Sequence, residues 1–140
     1  MSNRTVASNI KPLVSFVPQV ITADGASNGV AIDTMGYDNV EWVVSVGDLD
    51  LTSGNETYNV KIQESVDSAF SSPVDITSAT VAMTANNTVK TIRVMGLGTG
   101  VRLRYQRAVL TNAGTTASCP LCVLANLGGA KMNPANTPDA

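Results

Sequence analysis

Two cysteines, Cys119 and Cys122, have the spacing of a reactive or metal-binding pair. A Cys-x-x-Cys pair can form a redox dithiol or supply half of a zinc site. The redox form needs a helix after the pair, but Val123, Leu124 and Ala125 continue a strand-like run. The zinc form needs a second pair of ligands, and the chain has no other cysteine and no histidine. We therefore expect two buried, apolar cysteines on opposite faces of a strand.

The lack of histidine narrows the possible chemistry further. Without imidazole there is no base for a Ser/His or Cys/His nucleophile and no His-ligated metal site. A glycosidase-type pair of carboxylates, such as Glu41 and Glu64, remains a possible catalytic site, although nothing in the sequence places the two together. We predict that the protein is not an enzyme and that it uses no cofactor or metal.

Two loops share features with ligand-binding motifs but depart from them. The segment from Asp48 to Glu56 is rich in oxygen ligands, but Gly54 falls at the seventh position where a calcium loop of the EF-hand type needs the sixth. The glycines Gly96, Gly98 and Gly100 do not fit the G-x-G-x-x-G pattern, and no helix follows them. We expect a solvated loop in the first case and a β-turn in the second.

The composition of the 140-residue chain favours a single domain built from strands. Charged residues make up 14% of the chain and its net charge is -2, so no basic surface for nonspecific DNA binding is expected. Valine and threonine, which favour strands, are frequent, as are the turn formers asparagine, serine and glycine. The chain contains no run of 18 apolar residues, so no membrane span is predicted, and its first residues do not resemble a secretory signal. We therefore expect synthesis in the cytoplasm.

Alternating apolar and polar residues predict the strands that position these side chains. In Val40–Val46 and Thr57–Gln63 every second residue is apolar, which is typical of half-buried strands with Trp42 and Tyr58 pointing inward. Further strands are predicted within 17–23, 30–34, 76–84, 88–95, 101–111 and 116–127. About eight short strands separated by turns indicate an antiparallel β-sandwich, jelly roll or barrel.

Four arginines lie within 15 residues and form the main candidate for a binding surface. The residues 101–111 are predicted to form the longest strand, with Val101, Leu103 and Tyr105 on one face and Arg102, Arg104 and Gln106 on the other. If neighbouring strands carry the arginines, they form a docking face for an acidic partner. The alternative is a solvated face whose charges pair with local acids. The candidate partner-binding cations are Arg93, Arg102, Arg104 and Arg107.

The two ends of the chain differ in composition from its middle. Residues 1–16 lack a clear period, and residues 128–140 are rich in Gly, Pro and Asn. We interpret them as N- and C-terminal arms around a sandwich domain of residues 17–127. The N-terminal arm carries apolar residues that could dock onto a partner: Ile10, Leu13, Val14 and Phe16. Deleting residues 1–16 is therefore expected to weaken partner binding more than folding.

The central block resembles a family of small phage head proteins. It contains YDNVEWVVSVGDLD, then NETYNVKIQESVDSAFSSPVDIT, then VKTIRVMGLGTGVRLRYQRAVLTNAG and finally CVLANLGG. This pattern, over residues 37–128, resembles the cement or decoration proteins of short-tailed bacteriophages of the Bordetella phage and epsilon15 type.

The resemblance implies a jelly-roll β-sandwich that binds the outside of a phage capsid. It implies that the partners are the major capsid protein and further copies of the chain, as a dimer or trimer, with neither nucleic acid nor membrane bound directly. Such a protein would reinforce the virion against internal DNA pressure. Two alternatives remain: a carbohydrate- or cell-surface-binding sandwich, which would expose Trp42 or clustered tyrosines, and a head–tail joining or tail-tube protein.

Overall fold

The computed structural model describes residues 9–130, and its elements are nine β-strands. They are β1 (Ile10–Ile21), β2 (Gly25–Asn28), β3 (Ile32–Asp33), β4 (Asn39–Val46), β5 (Thr57–Ser65), β6 (Val74–Ala82), β7 (Val89–Met95), β8 (Tyr105–Ala113) and β9 (Cys119–Gly128). The strands form two antiparallel sheets, so the predicted all-β sandwich is confirmed. The ninth strand is β3, a two-residue extension that pairs with β8.

The sheet order is that of a jelly roll. The first sheet has the order β1-β9-β4-β7 and the second has the order β2-β8-β5-β6. The strands form one long ribbon whose two halves run in opposite directions. The ribbon consists of four antiparallel pairs: β1 with β9, β2 with β8, β4 with β7 and β5 with β6. Folding this ribbon over itself places alternate pairs in opposite sheets, which is the arrangement of a jelly roll.

The core lies between the two sheets and is filled by alternate residues of the central strands. In β4, the inward residues Val40, Trp42, Val44 and Val46 are buried, and in β5 the same is true of Tyr58, Val60 and Ile62. These predicted inward faces are confirmed. Trp42 has no exposed surface, and its indole N–H donates to Oε1 of Gln106 on the opposite sheet at 3.3 Å. This bond joins the two sheets at the centre of the core.

The predicted strand at 101–111 was wrong in its start and in its inward face. The strand β8 begins at Tyr105, and its inward residues include Gln106, Ala108 and Leu110, whereas Arg107 points outward. A shift of one residue exchanges the two faces of a strand. The sequence pattern had placed the polar Gln106 on the outer face of β8. Gln106 points into the core instead, because it accepts a hydrogen bond from the buried Trp42.

The N-terminal arm was also predicted too long. Residues 10–16 form the first half of β1 and pair with β9, from Ile10 opposite Gly128 to Phe16 opposite Val123. Phe16 is buried in the core and Leu13 packs against it. The sandwich therefore begins at residue 10 and ends at Gly128, and deletion of residues 1–16 would remove part of the first sheet. Residues 1–8 and 131–140 of the two predicted arms lie outside the described residues.

The alternation of apolar and polar residues did not predict the first half of β1, and the structure gives the physical reason. The pairing of β1 with β9 shifts register between Val14 and Phe16 and again between Phe16 and Gln19. Each such irregularity inserts a residue and interrupts the alternation that marks a strand. The bulged strand lies at the edge of the first sheet, where Pro12 and Pro18 are tolerated.

Candidate functional site

The cysteine pair lies on β9 with its two thiols on opposite faces of the first sheet. Cys119 is fully buried in the core, and Cys122 is half-buried on the outer side. Burial raises the pKa of the Cys119 thiol to about 11, so this thiol is almost entirely protonated at neutral pH. The predicted placement on opposite faces is confirmed, and so is the burial of Cys119, but the predicted burial of Cys122 was wrong because its face of the sheet is partly exposed; both thiols are free.

Thiol labelling should separate the two cysteines. We expect a maleimide at pH 7 to modify Cys122 in the native protein and to leave Cys119 unmodified, because Cys119 is buried and protonated. Both thiols should react after unfolding in guanidinium chloride. Mass spectrometry of the labelled protein gives the stoichiometry, and a Cys122→Ser variant serves as the control with no native labelling. Equal native labelling of both cysteines would contradict this placement.

The oxygen-rich loop between β4 and β5 uses its carboxylates within the chain. Asp50 accepts hydrogen bonds from the backbone N–H and the hydroxyl of Thr52, and Asp48 accepts one from the side-chain amide of Asn87 at 2.7 Å. Glu56 accepts one from the backbone N–H of Ser53. In residues 9–130, no group of three or more Asp, Glu, Cys or His residues is placed to hold a metal ion. Likewise, no helix in that range is long and apolar enough to span a bilayer.

The four candidate arginines lie on different elements of the fold. Arg93 is on β7 of the first sheet, Arg107 is on β8 of the second sheet, and Arg102 and Arg104 lie in the connection between these strands. Each contacts its own partners: Arg93 with Glu41, Arg102 with Glu64, Arg104 with Asp33 and Tyr105, and Arg107 with Gln63 and Phe70. They do not share the outer face of two adjacent strands, and three of them form ion pairs with local acids.

Arg102 and Glu64 form the most buried of these ion pairs. Their charged groups are 3.3 Å apart, and the side chains are 22% and 7% exposed. Glu64 also accepts a hydrogen bond from the backbone N–H of Leu103 at 3.0 Å. The pair fastens the connection from β7 to β8 against the second sheet. Glu41 lies on the first sheet, so the structure does not bring the two carboxylates of the imagined glycosidase pair together.

Asp33 and Arg104 hold a turn that presents Met35 to solvent. The guanidinium donates from Nε and Nη2 to the two carboxylate oxygens, at 2.9 and 2.7 Å. Oδ1 of Asp33 also accepts the backbone N–H of Met35. The hydrogen bonds from Arg104 lower the pKa of the Asp33 carboxyl below its usual value. Met35 itself is 68% exposed, so an apolar side chain projects from a well-anchored turn.

Two grooves meet at Arg102 and form what we call the end surface. One groove, of about 450 Å³, runs between Met35, Tyr37 and Leu103. The other, of about 370 Å³, lies between β6 and β7 and is lined by Met95, Val101 and Arg93 among others. Arg102 lines both. The end surface thus combines exposed apolar side chains with three arginines, Arg93, Arg102 and Arg104, each of which forms an ion pair with an acid.

The connection between β7 and β8 shapes this end surface. The glycines at 96, 98 and 100 all have positive φ, between 73° and 84°, as the predicted turn requires. The segment is not a hairpin, however, because β7 and β8 belong to different sheets and the chain crosses between them. Reasoning from the sequence missed the end surface, because Met35 and Val101 come together only through this crossing.

Comparison with known proteins identifies no family for this chain. No family model matches it. No curated protein matches it. One solved structure, described as belonging to Bacillus endospore appendages that form a novel family of disulfide-linked pili, is similar to 93% of this chain and 98% of that chain. The TM-score is 0.49 and the sequence identity is 11%, and we infer nothing about function from a likeness at that level.

Proposed function

We propose that this chain is a non-enzymatic virion protein that binds the outer surface of a phage capsid and cements neighbouring major capsid proteins. The observation that carries the proposal is the end surface, where Met35, Met95 and Val101 are each more than half exposed around Arg102. Exposed apolar groups that cluster are typical of protein contact sites. The sequence pattern that resembles phage cement proteins supplies the identity of the partner.

The contacts beneath the end surface suit a rigid contact with another protein. The ion pairs of Arg102 with Glu64 and of Arg104 with Asp33 hold the two loops in place before any partner arrives. A surface that is already ordered loses less conformational entropy when it binds. On a shell with many equivalent sites, a contact that exists only between assembled subunits stabilises the assembly by mass action.

The burial of Trp42 weighs against the carbohydrate-binding alternative. A sugar-binding sandwich would present Trp42 or a group of tyrosines as a stacking platform. Trp42 and Tyr58 are instead core residues, at 0% and 1% exposed. Capsid binding does not require Trp42 or Tyr58 to be exposed. We therefore keep the major capsid protein and further copies of this chain as the proposed partners.

Sedimentation with phage heads tests the proposal. Heads lacking this protein are incubated with it and pelleted, and the temperature at which DNA is released is measured. We expect the wild-type protein to pellet with the heads and to raise the release temperature by several degrees. A Met35→Asp, Val101→Asp double variant should bind at least about 10-fold more weakly, because charges replace buried apolar contacts.

Leu51→Asp is the matched control for that experiment, because Leu51 is an exposed apolar residue in the β4–β5 loop at the opposite end of the sandwich. It should bind like the wild type. Protein that stays in the supernatant, or that pellets with purified tails and not with heads, would contradict the proposal.

A further inference from the structure

Each sheet ends in two edge strands, and three of the four edges in residues 9–130 are unsuited to accept another strand. The strand β1 contains two prolines and two register shifts, and β2 is only four residues long. In β6 the register shifts where residues 76–79 face Ile62 alone, and Ser78 has a positive φ of 66°. Prolines, bulges and short strands each discourage further pairing at a sheet edge.

The fourth edge strand, β7, is regular and long enough to accept another strand. Its seven residues pair with β4 without a break, from Val89 opposite Ser45 to Met95 opposite Asn39. The side chains of Val89 and Met95 are 60% and 59% exposed. We call the side of β7 that faces away from β4 the open edge, because β7 is the last strand in the order of its sheet.

The hydrogen-bond pattern of β7 shows which of its backbone groups face the open edge. The backbone N–H of Val46 donates to the carbonyl of Thr88, so these two residues form a hydrogen-bonded pair. Bonded and non-bonded pairs alternate along antiparallel strands, so the even-numbered residues of β7 bond to β4. The N–H and C=O groups of Thr91 and Arg93 therefore point toward the open edge.

A groove beside the open edge has room for side chains of an added strand. It is the groove of about 370 Å³ between β6 and β7, and Ile76, Ala79 and Val94 are among the residues that line it. Alternate side chains of a strand added to β7 would point into the sandwich at this groove. Toward the start of β7, Lys90 donates to the carbonyl of Ala82 at 2.7 Å and joins the two edges. The groove is therefore open at the end of β7 that meets the end surface.

The charges on β7 favour an acidic segment as the added strand. The strand carries two cations, Lys90 and Arg93, and no acid. Arg93 lies 3.5 Å from Glu41 on β4, but its side chain is 71% exposed. An acid on the other side of Arg93 would form a cross-strand pair of opposite charges, which stabilises neighbouring strands.

Other occupants fit the open edge less well. Pairing with the β7 edge of a second copy would bring like charges together, since neither strand contains an acid. Residues 131–140 include two prolines, which lack the N–H needed for pairing along a strand. Residues 1–8 contain a cation and no acid, and they precede β1 at the opposite edge of the sheet.

We propose that an extended, acidic segment of the major capsid protein pairs with the open edge of β7 and lengthens the first sheet by one strand. This inference rests on the proposed capsid binding and names how the partner is held. Main-chain hydrogen bonds to Thr91 and Arg93 supply affinity, and the groove beside Val94 takes an apolar side chain. The open edge is continuous with the end surface, since Arg93 and Met95 belong to both.

A proline at position 91 tests this pairing without changing the core. Thr91 is exposed and its N–H faces the open edge, so Thr91→Pro removes an outward donor and leaves the bonds to β4 in place. Phage heads lacking this protein are incubated with the wild type or the variant and pelleted. We expect Thr91→Pro to bind the heads at least about 10-fold more weakly, because a main-chain hydrogen bond is lost and the ring obstructs the added strand.

Ala26→Pro is the matched control on another edge strand. The N–H of Gly29 donates to the carbonyl of Ala108, so by the same alternation the N–H of Ala26 points away from β8. Ala26 is exposed and lies on β2, at the opposite edge of the sandwich from β6 and β7. This variant should bind the heads like the wild type. Circular dichroism shows whether both proline variants are folded.

Hydrogen–deuterium exchange of the wild type gives a second test that needs no variant. In the free protein the N–H groups of Thr91 and Arg93 should exchange quickly, because they face the open edge. On the heads their exchange should slow at least about 10-fold, because hydrogen bonds to the added strand protect them. Mass spectrometry of peptic fragments measures the change, and a fragment covering residues 25–28 in β2 is the internal reference.

The outcomes distinguish this inference from the proposed function. A wild type that does not pellet with heads would overturn both. A wild type that pellets, together with a folded Thr91→Pro variant that pellets equally well or a β7 fragment that gains no protection, would overturn the pairing and leave capsid binding in place. Self-association of the purified chain that Thr91→Pro abolishes would assign the open edge to a second copy and would also overturn the inference.

Discussion

Trp42→Ala is expected to lower the free energy of unfolding by about 3–5 kcal/mol, the largest effect of any single change we consider. The indole has no exposed surface and lies between the two sheets. Its removal leaves a cavity and also takes away the hydrogen-bond donor that faces Oε1 of Gln106. Because a small domain is stabilised by about 5–15 kcal/mol in total, the variant should be close to unfolding at 37 °C.

Urea denaturation followed by far-UV circular dichroism measures this effect, since Trp42 is the sole tryptophan and its fluorescence is lost in the variant. Val101→Ala is the control, because Val101 is 68% exposed, and it should change the free energy of unfolding by less than about 0.5 kcal/mol. A loss below about 1.5 kcal/mol in Trp42→Ala would show that the indole is not packed as described.

Arg102→Ala is expected to have the second-largest effect and to lower the free energy of unfolding by about 2–3 kcal/mol. The change leaves the carboxylate of Glu64 largely buried without its cation. Such a loss costs several kcal/mol in a fully buried site, and less here because Arg102 is 22% exposed. The double variant Arg102→Met, Glu64→Gln should lose less than the single variant, because no uncompensated charge remains buried.

Arg104→Ala is the matched comparison, measured by the same urea denaturation. Its partner Asp33 is about half exposed, so solvent screens the ion pair and the loss should be clearly smaller than that of Arg102→Ala. Equal losses for the two arginines would contradict the difference in burial. If Arg102→Ala is as destabilising as expected, reduced partner binding by that variant would not by itself identify Arg102 as a contact residue.

The strands that sequence reasoning predicted well are those whose alternation is uninterrupted. In β4, and in β5 from Tyr58 to Ile62, each inward residue is apolar and most outward residues are polar, so strand position and inward face follow from the period of two. In β8 the inward Gln106 breaks this rule, because its partner Trp42 is 64 residues away in sequence. In β1 the bulges remove the period altogether.

The binding surfaces were less accessible to sequence reasoning than the fold. The cluster of arginines in sequence suggested one basic face, but the chain crosses between sheets within the cluster and separates Arg93 from Arg107. The outer face of the first sheet did leave a signal, since Val123, Leu124 and Ala125 are apolar without alternation. Such a run predicts a strand covered on both sides, but does not say what covers it.

The pairing of β1 with β9 has a consequence for synthesis of the protein in the cell. Residues 10–21 are translated long before the strand they pair with, which spans residues 119–128. The first sheet therefore cannot close until residue 128 has been translated. Pairings this distant in sequence fold slowly, so the nascent chain carries an unpaired β1 edge while the intervening strands are made. The two register shifts and two prolines in that strand make it a poor template for pairing with other nascent chains, which protects the growing polypeptide from aggregation.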